Sequence, residues 1–163
     1  MSEANSITIS LGKPVTAPVL IPVEHKATPS CIDNPFMIDG KSYKVTAMSF
    51  GNPYGAVFVD DVDNIDARKL GESLGTHALF PEGAGIVFAQ TLGGNNIKAR
   101  LWHREGREFT PEAACVAGTA AIMLRKILSD EVNIFMKDNI FKMEWNRGAG
   151  DVTLTGEKTL LNA

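Results

Sequence analysis

The segment from Thr110 to about Leu128, TPEAACVAGTAAIMLRKIL, is the most helical stretch of the chain and the one that most limits its fold. Thr110 suits an N-cap, because its hydroxyl can accept a bond from an otherwise free backbone N–H. Pro111 suits the first helical position, where a fixed φ and a missing N–H do no harm. Alanine, glycine, valine and threonine dominate the rest of the segment. Small side chains let a helix sit close to its neighbours, so this helix is expected to be enclosed by the rest of the chain.

That remainder reads mainly as strands. Ile7, Ile9 and Leu11 alternate with polar residues until Gly12-Lys13-Pro14 breaks the period. Residues 17–39 carry Pro18, Pro22, Pro29 and Pro35 and read as extended chain or loop. Asp39-Gly40 is a two-residue hairpin signal leading into a strand from Ser42 to Met48. Ala56-Val57-Phe58-Val59 is a short apolar strand. Asp63 is placed to cap a short helix through Leu74, with Leu70 and Leu74 on one face and Gly75 as its stop. Strands at Ile86–Ala89 and Ile97–Trp102 are joined through Gly93-Gly94-Asn95-Asn96, and Phe141–Trp145 and Val152–Thr155 form a hairpin around Arg147-Gly148-Ala149-Gly150. No repeat, linker or low-complexity tract interrupts the series. The expected fold is α+β. A single domain over residues 1–163 carries a strongly curved, mostly antiparallel sheet wrapped around the central helix.

Composition narrows the function. The chain has 163 residues, enough for one domain with a real core. A net charge of -3 gives no electrostatic footprint for nucleic acid, and no basic run suits an anionic membrane. Two cysteines, Cys31 and Cys115, are too few for a disulfide framework, so a reducing cytoplasm is the expected setting. MSEANSITIS lacks a basic patch followed by an apolar core and does not read as a signal peptide. The longest apolar-leaning run, Ala113 to Leu124, falls short of the ~20 residues a membrane helix needs.

Cys115 is the residue with the most chemistry. Near a helix N-terminus, free N–H groups and the macrodipole favour negative charge, which lowers a thiol's pKa. The N–H groups of Val116, Ala117 and Gly118 are then candidates to cradle a carboxylate, with Gly118 allowing close approach. A thiolate beside a carboxylate-binding turn suits removal of an α-proton from an amino acid. The bland alternative is a small buried side chain, as most cysteines in small-residue helices are. His25, His77 and His103 have no metal-ligand spacing, Cys31 has no nearby partner, and no metal is expected. Asp60-Asp61-Val62-Asp63 reads as a solvated strand end, and Gly83-Ala84-Gly85 as a turn without the GxGxxG arrangement. Asn52, fixed by Pro53 at a strand end, is a turn former whose amide also suits a substrate carboxylate or ammonium group.

Several segments together resemble one family. ITISLGKP, AMSFGNPYGAVFVDDVD, GTHALFPEGAGIVFAQ, IKARLWHRE, EAACVAGTAAIMLRKIL and FKMEWNRGAGDVTLTG succeed one another as in the C-terminal half of diaminopimelate epimerases. The resemblance covers nearly all of residues 6–156. It implies one of two similar domains, each a curved sheet around a central helix, with the active site in the cleft between them. It also implies an isomerase of amino-acid, specifically lysine, biosynthesis that uses no cofactor and takes a small amino-acid substrate. By position, Cys115 falls on the family's C-terminal catalytic cysteine. Val116, Ala117, Gly118 and the neighbouring Thr119 fall on the turn that binds the α-carboxylate. Asn52 and Arg104 fall on substrate-binding positions.

The departures are specific. The glutamate expected before that arginine is His103, the asparagine expected after Pro-Glu-Gly is Gly85, and Ala117 lacks the family hydroxyl. Glu112 is the nearest substitute for a glutamate usually close before the cysteine. Family enzymes use two cysteines on opposite faces of Cα, one from each domain, and the segment around Cys31 does not match the other one. The site is therefore expected to be completed by a second copy of the chain or by a separate N-terminal-domain partner. Two other readings stand beside it. The chain is a binding or interaction module of the same descent without turnover, or it is a fragment of a longer protein, which Met1 argues against.

Overall fold

The computed structural model describes residues 5–17, 21, 32–78 and 80–161. His25 and Cys31 lie outside these. The elements run β1 (Ser6–Gly12), β2 (Asn34–Ile38), β3 (Lys41–Ser49), β4 (Pro53–Phe58), α1 (Ala67–Gly75), β5 (Gly85–Gly93), β6 (Asn96–Trp102), α2 (Pro111–Met123), β7 (Glu131–Met136), β8 (Asn139–Trp145), β9 (Val152–Glu157) and α3 (Lys158–Leu161). The strands form one nine-stranded sheet in the order β1-β9-β8-β7-β6-β5-β4-β3-β2. Pairing is antiparallel except at β4–β5 and β6–β7. Those two parallel pairs are bridged by α1 and α2, the long crossovers that parallel neighbours require.

Curvature arises from where α2 sits. It touches every strand from β3 to β9, so the sheet wraps it. All ten residues from Ala113 to Ile122 are buried, which only small side chains permit on every face of a helix. The run Ile86-Val87-Phe88-Ala89 in β5 shows how the sheet divides the core. Val87 and Ala89 pack with α2, while Ile86 and Phe88 join a second cluster with Leu74 of α1. A strand buried on both faces reads as a continuous apolar run, as this one does. The expected α+β domain with a curved, mostly antiparallel sheet around the central helix is therefore present.

Local signals explain most boundaries. Asp39 (φ 50°) and Gly40 (φ 81°) form the β2–β3 turn, both in the left-handed region that tight hairpins use. At the β8–β9 turn, Asn146 Oδ1 accepts from the N–H groups of Gly148 and Ala149, each at 3.1 Å. Three expectations are corrected. The helix expected from Asp63 is broken: a 3-10 turn at Val62–Asn64 precedes an extended Ile65, and Asp66 caps α1 by accepting from Lys69 N–H at 3.1 Å. Gly75 is the last residue of α1 rather than a stop beyond it, and Thr76 is the C-cap. Helix α2 ends at Met123, because Arg125 turns left-handed (φ 58°) and Lys126 N–H bonds back to Ala121 C=O. Strand β7, not among the expected strands, buries Val132, Ile134 and Met136 in strict alternation. No helix among the described residues is long and apolar enough to cross a membrane.

Candidate functional site

The start of α2 is built as its sequence dictates. Thr110 is extended (φ −136°, ψ 148°), its Oγ1 accepts from Ala113 N–H at 3.0 Å, and Pro111 opens the helix. Counting from Pro111 makes Cys115 the fifth helical residue, one turn deeper than a first-turn thiol. It is 0% exposed. Burial, and secondarily the Glu112 carboxylate, push its thiol far above the ordinary range. The lowered pKa expected of a thiol at a helix start is thus reversed here.

In this fold the amides of the expected carboxylate cradle are engaged within the helix. Only the first four N–H groups of a helix lack an intrahelical partner, and those of Val116, Ala117 and Gly118 lie beyond them. Gly118 serves packing, since a Cβ there would stand 2.5 Å from Met143 Sδ. Thr119 is fully buried and its hydroxyl donates to Met143 Sδ at 3.8 Å.

Asn52 and Arg104, far apart in sequence, line one groove of about 190 Å³. Three turns build it. The first runs from Ser49 to Asn52, with Gly51 at φ 110°, and ends on Pro53, the first residue of β4. In the second, Gly83 (φ 78°) donates to Phe80 C=O at 3.0 Å and Ala84 N–H donates to Gly75 C=O at 2.9 Å, tying the turn to α1. The third comes after β6, where Gly106 N–H donates to His103 C=O at 2.9 Å. Arg104 lies directly over Gly83, whose missing Cβ would fall 2.0 Å from an Arg104 guanidinium nitrogen. Gly85 likewise leaves room for the Tyr54 ring, 2.6 Å from where a Cβ would be.

The electrostatics are mixed. Glu82 and Glu105 share the groove lining with Arg104, which makes no ion pair among the described residues. His103 accepts from Glu105 N–H at 3.1 Å through Nδ1, which places the proton of the neutral ring on Nε2. Burial is the main cause that lowers its pKa, so the neutral form is favoured. No group of three His, Cys, Asp or Glu among the described residues is arranged to hold a metal ion.

Tyr54 is the residue the sequence does not announce. It lines the groove, is buried, and its hydroxyl is 2.9 Å from Thr110 Oγ1, the cap of α2. Burial raises its pKa, which keeps the hydroxyl protonated as a hydrogen-bonding group. Its place directly after Asn52-Pro53 is the only clue in the sequence. The structure therefore brings Asn52 and Arg104 together and links their groove to α2 through Tyr54, while Cys115 to Thr119 remain inside the core.

Comparison with known proteins bears on the same region. The family model described as diaminopimelate epimerase matches residues 46–160, a span that includes Asn52, Arg104 and Cys115. The diaminopimelate epimerase of Leptospira biflexa is 30% identical over 158 residues, which is 94% of this chain and 55% of that protein. That of Brachyspira hyodysenteriae is 29% identical over 164 residues, 94% of this chain and 58% of its own. That of Magnetococcus marinus reaches 36% over 121 residues, 74% of this chain and 42% of its own. The chain thus spans about half the length of the curated relatives it matches. With more than half of its residues under the family model, and the sheet and central helix in place, the chain belongs to the diaminopimelate epimerase family.

Proposed function

We propose that this chain is the equivalent of the family's C-terminal half and works as one side of a cofactor-independent amino-acid epimerase or racemase site. Asn52 and Arg104 bind the substrate, Cys115 is a thiol acid/base, and a second copy or a separate N-terminal-type domain supplies the group on the other face of Cα. The observation that carries this reading is the groove. Arg104, Asn52, Glu82 and Glu105 all line it, a mixture of cationic, amide and acidic residues that suits a zwitterion. Inversion at Cα needs one group to remove the proton and another to return one from the opposite side. A thiolate at Cys115 takes the Cα proton and becomes a thiol, and the opposing acid protonates the carbanion. The relatives' printed names make diaminopimelate the first substrate to test.

A second reading is favoured by a different observation. Cys115 is fully buried and its thiol is held protonated. A domain that binds an amino acid or another small carboxylate in the groove without turnover, or that serves interaction, fits that state directly. Incubation with diaminopimelate and other amino acids in heavy water separates the two. Deuterium appearing at Cα, alone or with an added N-terminal-type domain, and lost in Cys115→Ala, supports the epimerase. Binding without exchange under every condition leaves the module.

A further inference from the structure

The groove and the buried thiol are joined by one hydrogen bond. Thr110 Oγ1 takes part in two contacts: it accepts from Ala113 N–H at 3.0 Å, holding the first turn of α2, and it meets the Tyr54 hydroxyl at 2.9 Å. Both Tyr54 and Thr110 are buried, so neither contact is exchanged freely for water. The Tyr54 ring is held from the other side by Gly85, which has no side chain to keep it away. At about 190 Å³ the groove is smaller than the ~300–1,000 Å³ usual for ligand pockets. A ligand larger than that volume either projects into solvent or displaces part of the lining, and Tyr54 is the lining side chain whose hydroxyl is bound to α2.

We infer that Tyr54 is a positioning residue that couples occupancy of the groove to exposure of Cys115. In the free chain its bond to Thr110 keeps the first turn of α2 wound and Cys115 covered. A ligand that presses the ring aside weakens the cap, and residues 110–114 unwind. Loss of that turn moves the helix start to Cys115. The amides of Cys115, Val116, Ala117 and Gly118 then become the four without intrahelical partners, and the thiol stands among them. The ligand shifts this equilibrium only by binding the open form more tightly than the closed one. This inference rests on the groove being the ligand site, as proposed above.

The test is the rate at which a thiol reagent modifies Cys115 in the full chain at neutral pH, read by peptide mass spectrometry so that Cys31 is counted separately. Tyr54→Phe keeps the ring and removes one buried hydrogen bond, so modification should accelerate about five- to tenfold. Thr110→Val should accelerate it at least as much, while Thr110→Ser, which keeps the hydroxyl, should stay near the wild-type rate. Amide exchange at Ala113 to Cys115 should quicken in step, with Met143 and Leu154 unchanged, because the opening is local. Saturating diaminopimelate should raise the wild-type rate and leave Tyr54→Phe nearly unresponsive, a difference that mere loss of stability does not produce. An unchanged rate in Tyr54→Phe, or acceleration matched by exchange at Met143 and Leu154, overturns the coupling. If diaminopimelate causes no chemical-shift change at Asn52 and Arg104, the groove reading fails, and the Tyr54→Phe and Thr110 rates still decide the latch. If it binds and leaves the wild-type rate unaltered, the coupling fails and the groove reading stands.

Discussion

Replacing Gly71 by alanine sets two effects of opposite sign against each other. Gly71 lies inside α1, where helix propensity alone makes alanine more stable by about 1 kcal/mol. Packing argues the reverse. A Cβ at residue 71 would lie 2.3 Å from Trp102 Cβ and 2.4 Å from its Cγ. Non-bonded carbons settle at roughly 3.5–4.0 Å, so α1 and the end of β6 would have to separate by about 1 Å. Trp102 Cβ is bonded to the strand backbone and cannot rotate away. Overpacking costs about 1–3 kcal/mol, and so fixed an obstacle belongs at the upper end. The expected net effect is a loss of about 2 kcal/mol, or roughly 4–8 °C in Tm for a domain of this size. Urea unfolding tracked by far-UV circular dichroism measures it. In a Trp102→Gly background, which removes Cβ as well as the ring, the obstacle is gone, and Gly71→Ala should become neutral or stabilising relative to that background, giving a clear coupling in the double-mutant cycle. A single variant with an unchanged or raised midpoint refutes the reasoning.

Three further expectations concern the site. Cys115 keeps its proton in the folded state at pH values where the unfolded thiol, with a pKa of about 8.5, loses it. Stability should therefore fall above pH ~8.5 by up to about 1.4 kcal/mol per pH unit, and Cys115→Ala should flatten that slope between pH 8.5 and 10 in urea midpoints. His103 is shifted the other way, so the unfolded state binds its proton first and stability should decline below pH ~6.5; His103→Gln should remove that contribution in the same assay. Arg104→Gln should weaken diaminopimelate binding about tenfold or more by calorimetry with little change in unfolding midpoint, since the side chain is exposed and unpaired among the described residues. Equal binding by this variant would remove Arg104 from the site.

The strands and hairpins are legible in the sequence where one face is apolar or a turn has a single good solution. Asp39-Gly40 is an example, since few residue pairs tolerate left-handed φ at both positions. The β7–β8 turn uses the same geometry at Lys137 (φ 49°) and Asp138 (φ 61°), without the glycine that announces it, and β7 goes unannounced with it. The break in front of α1 is hidden because Asp61, Asp63 and Asp66 are all competent caps, and only the path of the chain decides that Asp61 and Asp66 act as caps. At the site, Asn52 emerges from its turn with Pro53 and Arg104 through resemblance, and nothing in their spacing says that they meet. Tyr54 escapes notice because its role lies in a contact with Thr110, across 56 positions of sequence. Gly71 and Gly75 read as helix residues or stops, whereas their function is to admit the Trp102 ring.

The sequence places a thiol near the start of a helix, where the macrodipole lowers its pKa, and the folded chain places it one turn inside, where burial raises it. One turn of unwinding converts the second situation into the first. The contacts that oppose it are the Thr110 cap, worth about 1 kcal/mol, the Tyr54–Thr110 bond, worth about as much, and the backbone bonds accepted by the first turn, beginning with Ala114 N–H to Thr110 C=O. Re-exposing the apolar side chains of Ala113 and Ala114 adds roughly 1 kcal/mol for each methyl-sized group. Together these terms make the open form rare in the free chain. A thiol that is protonated and covered in the free chain is protected from oxidation and alkylation, because the exposed thiolate is the form that reacts.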